Sequence, residues 1–386
     1  MATKPHTLVI TNDFPPRTGG IEAFAYEMVK RFEPTTVTVL TSAEANASDF
    51  DAQQPFQIVR TKRRPLLPTP GTTKQAIDLA RQVQASSVWF ASAAPLALMA
   101  NRLRQSTNIE RVVATSHGHE VGWVAVPVTR SVVKSLANQV DHLTYIADYT
   151  AREIGRVLSP EARRRMVKLS PGVNPERFDS FAAARQVSDA APSLTANPSP
   201  LVLSVSRLVK RKGQDVLIKA WPTVVQHHPG AQLVIVGDGP ARRHIERLAK
   251  DSPVKSLIQL KGKLDYASAE LNQLFTNAQV FAMPCRSRLG RIDFEGYGIV
   301  FLEAQAAGLP VIVGKSGGAP EACLPEQTGL LVDARSVTSV SNGIVQLLDD
   351  PNLAQQMGRT GREWVLNTGT WQSRFAVLSQ LLGRAS

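Results

Sequence analysis

Cysteine is almost missing from this chain: Cys285 and Cys323 are the two in 386 residues. Neither stands in a metal-ligand spacing, so a disulfide-stapled scaffold and a zinc module are both excluded, and the pair is expected to be reduced filler. Long apolar runs are missing as well. None approaches the roughly 20 residues that span a bilayer, and the opening MATKPHTLVIT runs straight into a strand pattern with no leader signature. The expectation is a cytosolic protein, or one peripheral to a membrane. Acid is in short supply, with 32 Asp and Glu against 44 Lys and Arg, which leaves a net charge of +12 and a pI near 9.9. That excess calls for an anionic partner, whether nucleic acid, acidic lipid or phosphorylated substrate. It is spread over both halves of the chain rather than gathered in a tail. No zinc-finger spacing, aromatic ribonucleoprotein pattern or dense basic run supports nucleic acid, so no nucleic-acid partner is expected. What remains is lipid or phosphate.

Present instead are 43% hydrophobic and 20% charged residues, the balance of a globular protein. The length is large for one core and natural for two domains. Apolar runs at Thr36 to Leu40, Gln57 to Val59, Val88 to Ala91, Arg111 to Thr115, His142 to Ile146 and Val167 to Leu169 alternate with helical stretches such as Thr73 to Gln84, Leu96 to Arg104 and Arg130 to Ala137. Alternating β and α predicts a parallel sheet covered on both faces. A stretch rich in Ala, Ser, Pro and Asn follows, and a second series starts with the strand Leu201 to Val205.

The chain is organised around Glu295 to Gly318, EGYGIVFLEAQAAGLPVIVGKSGG. Gly298 opens a helix here, so the unpaired N–H groups of Ile299 and Val300, with the helix dipole, favour an anion such as a diphosphate. Glu295 and Glu303 flank that position. Carboxylates repel a diphosphate, so they suit hydroxyls on either side of it, the layout of a sugar nucleotide. In the first half, His6 to Thr11 reads as a strand, followed by Asp13-Phe14-Pro15-Pro16-Arg17-Thr18-Gly19-Gly20 and a helix from Ile21. Gly19 and Gly20 let backbone approach a ligand. The strand Arg111 to Thr115 ends in Ser116-His117-Gly118-His119-Glu120, and a strand's carboxyl end is where ligands bind in open α/β sheets. Either His117 or His119 can face the ligand. After Leu201 to Val205, Arg207 and Lys212 lie five positions apart in one turn, a fork and a point charge suited to phosphate. Lys210 and Arg211 read as neighbours of that pair. Gly237-Asp238-Gly239-Pro240 lacks the spacing of a dinucleotide fingerprint.

Together, D-F-P-P-x-x-G-G-I-E, the strand-end histidine, S-R-x-x-x-x-K-G and E-x7-E resemble the retaining GT-B glycosyltransferases, over nearly the full chain. The closer likeness is to the actinobacterial GDP-mannose-dependent mannosyltransferases of phosphatidylinositol mannosides, carried by TNDFPPRTGGIE and EGYGIVFLEAQAAGLPVIVGKSGGAPEA. The resemblance implies an α/β GT-B fold, two Rossmann-like domains with a deep interdomain cleft. The first would span 1–175 with 371–386, the second 198–370, with 176–197 as linker. It implies a glycosyltransferase that moves mannose, retaining its configuration, from GDP-mannose to an anionic lipid acceptor, without a metal or other cofactor. Arg207, Lys212 and backbone donors at Gly19, Gly20, Ile299 and Val300 would take the diphosphate. Glu295 would take sugar hydroxyls, Glu303 the ribose, and His117 or His119 the sugar near its reacting carbon. Lys263 and Leu264 would hold the base. Arg286 lies in a link longer and more basic than in many relatives and would add a donor-side cation. Asp13 would touch the acceptor hydroxyl. The rival readings are a soluble acceptor with another nucleotide sugar, a sugar-nucleotide epimerase, and a non-catalytic lipid- or polyphosphate-binding protein.

Arg60-Thr61-Lys62-Arg63-Arg64-Pro65-Leu66-Leu67-Pro68 sets bases beside a Leu-Leu pair. Lys62, Arg63, Arg64, Leu66 and Leu67 are therefore expected to contact a membrane surface, the first three by charge. This makes the protein a peripheral one, on the cytoplasmic face of the cell membrane.

Overall fold

The computed structural model describes residues 5–62, 64–179, 199–266, 268–289 and 292–384. The chain divides into two units, Met1–Gly172 with Trp371–Ser386, and Val173–Thr370.

In the first unit seven parallel strands form one sheet: β1 (His6–Thr11), β2 (Val37–Thr41), β3 (Gln57–Arg60), β4 (Ala85–Phe90), β5 (Arg111–Ser116), β6 (His142–Tyr145) and β7 (Met166–Lys168), in the order β3-β2-β1-β4-β5-β6-β7. Residues Val37 to Thr41 are buried throughout, as strands covered on both faces must be. Most strands begin and end within a residue or two of the apolar runs. β4 starts three residues earlier than Val88, at Ala85, because Ala85 and Ser87 pair with His6 and Thr7 of β1 around a bulge at Ser86, and the two serines do not look apolar. Thr7 and Ser87 satisfy each other there, Oγ to Oγ at 2.9 Å. The chain reverses direction of growth between β1 and β4, and at such a switch point the loops leaving the two strands part to leave a crevice.

The second unit repeats the plan with six parallel strands: β8 (Leu201–Val205), β9 (Gln232–Val236), β10 (Ile258–Gly262), β11 (Val280–Met283), β12 (Val311–Gly314) and β13 (Gly329–Val332), in the order β10-β9-β8-β11-β12-β13. Its switch point lies between β8 and β11. The loops that leave these two strands are Ser206 to Gly213 and Pro284 to Gly298.

The last helix, Trp371–Leu381, belongs to the first unit. Trp371 meets Phe24 edge-on at 5.5 Å, Phe375 meets Phe32 at 4.8 Å, and Arg384 bonds Thr7 and Thr36. The start of the expected linker is not a linker. Pro175–Phe178 is a 3-10 turn of the second unit, with Phe178 fully buried against Phe275 at 5.9 Å. The rest of that segment, 180–198, lies outside the described residues.

Candidate active site

In the second unit the functional side chains gather at the switch point. The turn after β8 is tied down by the buried Gln214, whose amide donates to Ser206 Oγ at 2.7 Å and to the Arg207 carbonyl at 3.2 Å. It is also tied by Asp238, whose carbonyl accepts from Leu208 N at 2.9 Å. The Gly237 to Pro240 turn is thus a buttress for the basic turn. Arg207 stays exposed. Lys212 turns inward and meets Glu295, Nζ to Oε2 at 2.7 Å, with both side chains about nine-tenths covered. Arg211 approaches the same oxygen at 3.6 Å and Asp293 at 3.8 Å. Glu295 is fixed from behind by the turn after β12: Gly318 N donates to its carbonyl at 2.9 Å and Ser316 Oγ accepts from its N–H at 3.3 Å. The sequence places Lys212 and Glu295 on different ligand groups. The structure makes them one ion pair, so a ligand approaching either meets a charge already balanced.

Gly298 caps the helix Ile299–Ala306 with φ +92°, a left-handed conformation that favours glycine, and a Cβ there would sit 2.7 Å from the Phe301 ring. Ile299 and Val300 are the first two helical residues, and their N–H groups have no acceptor within the helix. Glu303 is one turn further in and half-buried. Burial pushes its carboxyl above the usual range, while a hydrogen bond from Tyr266 and the charge of Arg177 work against that shift. Lys263 is exposed and Leu264 half-buried, in the loop after β10 that leads to Tyr266.

Arg286 does not stand free as a donor-side cation. Its guanidinium donates to Asp215 at 2.8 Å and its N–H to the Arg211 carbonyl at 2.8 Å, so it pins the loop after β11 onto the basic turn.

In the first unit the loops after β1, β4 and β5 converge at the carboxyl edge of the sheet. Both Asp13 oxygens are engaged, Oδ1 by Arg17 at 3.0 Å and Oδ2 by Ser92 at 2.8 Å. Arg17 also bonds Glu22, Nε to Oε1 at 2.7 Å. Glu22 is buried, and that burial raises its pKa, with the Arg17 charge opposing. A Cβ on Gly19 would fall 2.2 Å from the Glu22 carboxylate, whereas one on Gly20 would meet nothing within 4 Å. A side chain at Gly19 would have to displace the Glu22 carboxylate from its place beside Arg17. Gly20 fronts open space, as a ligand-facing glycine must.

The two histidines separate. His117 is buried, its Nε2 donating to the Ala91 carbonyl at 2.7 Å and its ring edge-on to Phe24 at 5.0 Å. Desolvation lowers its pKa, so the ring is neutral near pH 7. His119 begins the helix Glu120–Ala125 at the surface, with Nε2 3.2 Å from the buried Glu120.

The expected membrane loop is corrected in part. Leu66 is buried in the first unit's core, gripped by Asn12, whose amide donates to its carbonyl at 2.8 Å and whose Oδ1 accepts from its N–H at 2.7 Å. An asparagine that matches both main-chain groups makes that leucine an anchor rather than a lipid contact. Arg60 points back to Asp51 at 2.7 Å, and Arg64 pairs with Glu44 at 3.0 Å. Lys62 and Leu67 remain exposed, and Arg63 lies outside the described residues.

Sequence reasoning assigned nothing to Arg17, Glu22, Ser92, Tyr266, Arg177 or Ser316, and set Arg211 aside. Arg17 and Glu22 sat within a quoted motif, so the signal was there. Ser92 and Tyr266 carry none, since each depends on a strand-end loop that only the sheet order brings close.

Comparison with known proteins agrees along the whole chain. "Glycosyl transferases group 1" matches residues 188–364 and "Glycosyltransferase Family 4" matches residues 18–177. The Mycobacterium tuberculosis GDP-mannose-dependent alpha-(1-6)-phosphatidylinositol monomannoside mannosyltransferase is 40% identical over 97% of each chain. The Corynebacterium glutamicum GDP-mannose-dependent monoacylated alpha-(1-6)-phosphatidylinositol monomannoside mannosyltransferase is 38% identical over 99% of each. Among solved structures, the sucrose-phosphate synthase of Thermosynechococcus elongatus superposes with a TM-score of 0.77 at 22% identity over 98% of each chain. Anabaena Alr3699/HepE in complex with UDP superposes with a TM-score of 0.78 at 15% identity, covering 98% of this chain and 99% of its own.

Proposed function

The chain belongs to the GT-B glycosyltransferases of group 1 and family 4, and from that premise we propose that it transfers mannose from GDP-mannose to a phosphatidylinositol mannoside in an α linkage. The observation that carries this reading is full-length similarity of 38% and 40% to two enzymes named for that donor and acceptor class. A site of matching chemistry supports it. In the second unit, Arg207 and the N–H groups of Ile299 and Val300 receive the diphosphate. Lys212 stands between that charge and Glu295, so negative charge gathering on the leaving phosphate strengthens its pull on Lys212. Glu295, with its second oxygen free of the lysine, accepts from the sugar hydroxyls. Glu303 accepts from the ribose in place of Tyr266, and Lys263 and Leu264 border the base.

In the first unit, neutral His117 has Nε2 committed to Ala91, which leaves Nδ1 as an acceptor for a hydroxyl. Asp13, held on both oxygens, positions the acceptor. Retention follows if the acceptor attacks from the face the phosphate leaves, the phosphate taking the proton as the new C–O bond forms and the old one breaks. The cationic side chains neutralise that phosphate, so the reaction is expected to run without a divalent metal. No helix among the described residues is long and apolar enough to cross a membrane, and the lipid acceptor implies peripheral contact.

The deciding experiment offers GDP-mannose, UDP-glucose and UDP-N-acetylglucosamine separately, with mannosylated phosphatidylinositol, in excess chelator. Transfer from GDP-mannose alone is expected. Preference for a UDP-sugar would overturn the donor, and loss in chelator restored by magnesium would overturn the metal-free reaction.

A further inference from the structure

We propose that the turn joining the helices Glu120–Ala125 and Pro127–Gln139 is the surface by which the first unit lies on an anionic lipid bilayer. The inference rests on the lipid acceptor proposed above and adds the residues that reach the lipid. Ala125, Val126, Pro127 and Val128 are exposed in succession, Val126 by 51% and Val128 by 75%. Single exposed valines are ordinary. Four consecutive apolar residues on a fixed turn are not.

The turn is fixed by its sequence. A residue before proline is driven out of the helical region, and Val126 is extended, with φ −105° and ψ 128°, so the first helix stops at Ala125. The carbonyls freed there find partners inside the protein. Thr129 Oγ1 donates to Trp123 O at 2.7 Å, Arg130 Nε to Val124 O at 2.8 Å, and Arg130 N to Val126 O at 2.8 Å. The carbonyls of Trp123, Val124 and Val126 are thus satisfied within the turn, which lowers the cost of moving its apolar side chains out of water.

Charge then selects the occupant. From Val121 to Val140 the sequence has no acid, and its charged residues are Arg130 and Lys134. The bond to Val124 holds the Arg130 charge beside the valines. An apolar tip with a basic flank matches an anionic leaflet. The helix Glu120–Ala125 follows directly on β5 and the strand-end histidines, so the tip shares the sheet edge where the acceptor is proposed to react. The Lys62 loop leaves β3 at that same edge, but with Leu66 buried it brings charge with little apolar surface.

The test is sedimentation of the full chain with phosphatidylcholine vesicles, with and without phosphatidylglycerol and containing no mannosylated lipid, so that binding is read apart from transfer. The parent is expected to bind the anionic vesicles in a salt-sensitive way. Val126→Ser with Val128→Ser should lower partitioning roughly tenfold, and Lys134→Gln about fivefold at low salt with less effect at high salt. Melting temperatures and GDP affinity should stay at the parent's values. Parent-level vesicle binding by the double valine variant would overturn the proposal. So would equal binding to pure phosphatidylcholine, or a dimer of the parent that the valine changes dissociate while vesicle binding is kept. Absence of mannosyl transfer would instead overturn the functional reading and leave the vesicle result standing.

Discussion

A charge is worth what its surroundings leave uncompensated, and the two basic residues of the S-R-x-x-x-x-K-G turn differ on that point. Arg207 is exposed, while Lys212 neutralises a buried Glu295. Arg207→Ala is therefore expected to reduce turnover by roughly 10²–10³-fold with an unchanged unfolding midpoint. Lys212→Ala should lose turnover on that scale and in addition lose about 1–3 kcal/mol of stability, because the buried Glu295 oxygen loses the cation that pairs with it. Equal stability of the two variants in denaturant titrations would contradict the ion pair. His117 offers a pH test. Its folded pKa lies below the ordinary histidine value of 6.5, through desolvation first, so its contribution is complete well above pH 6.5. That contribution is lost as pH falls through 6.5 toward the folded value, because the unfolded chain takes up the proton first, at up to roughly 1.4 kcal/mol per pH unit. His6 behaves in the same direction, so the comparison must be with His117→Gln. The parent's melting temperature should drop more between pH 7.5 and 5.5 than the variant's, and parallel curves would remove the assignment.

At the scale of elements, the loop after β1 sets two neighbouring glycines in different surroundings. Gly19 gives room to the Glu22 carboxylate, which holds Arg17, which in turn holds Asp13. Gly20 starts its helix with open space where a side chain would be. Gly20→Ala should fold within about 0.5 kcal/mol of the parent, since alanine suits a helix, and yet lose most transfer activity. Gly19→Ala should cost stability as well. If Gly20→Ala kept full activity, the space beside it would not be a ligand's. The loop after β11 teaches the complementary lesson. Its basic residues look like a binding surface in the sequence, yet Arg286 serves to join Asp215 and the Arg211 carbonyl.

For the whole molecule, the chain's last helix is part of its first unit. Trp371, Leu378 and Leu382 are almost fully buried there, each side chain worth about 1.5–3 kcal/mol when removed from water. Ending the chain after Thr370 is expected to lower the first unit's unfolding temperature and leave the second unit's transition in place by calorimetry. Unchanged melting of both would show that the helix adds nothing to the first unit.

The strand pattern, the two series of β and α, and the residues of E-x7-E, S-R-x-x-x-x-K-G and the Pro-Pro loop were legible in the sequence by itself, because parallel strands buried on both faces are apolar runs and phosphate loops need glycine and base at fixed spacing. The pairing of those residues was not. Lys212 and Glu295 are 83 positions apart, and only the placement of β8 beside β11 makes them partners. Leu66 and Leu67 are adjacent and equally apolar, and only the reach of the Asn12 side chain decides that one is core and the other surface. Val126 and Val128 read as two more apolar residues near a helix, and their exposure follows from a proline that stops one helix and starts the next. Sequence periodicity reports what each segment can bury, and the tertiary structure decides which neighbour is there to bury it.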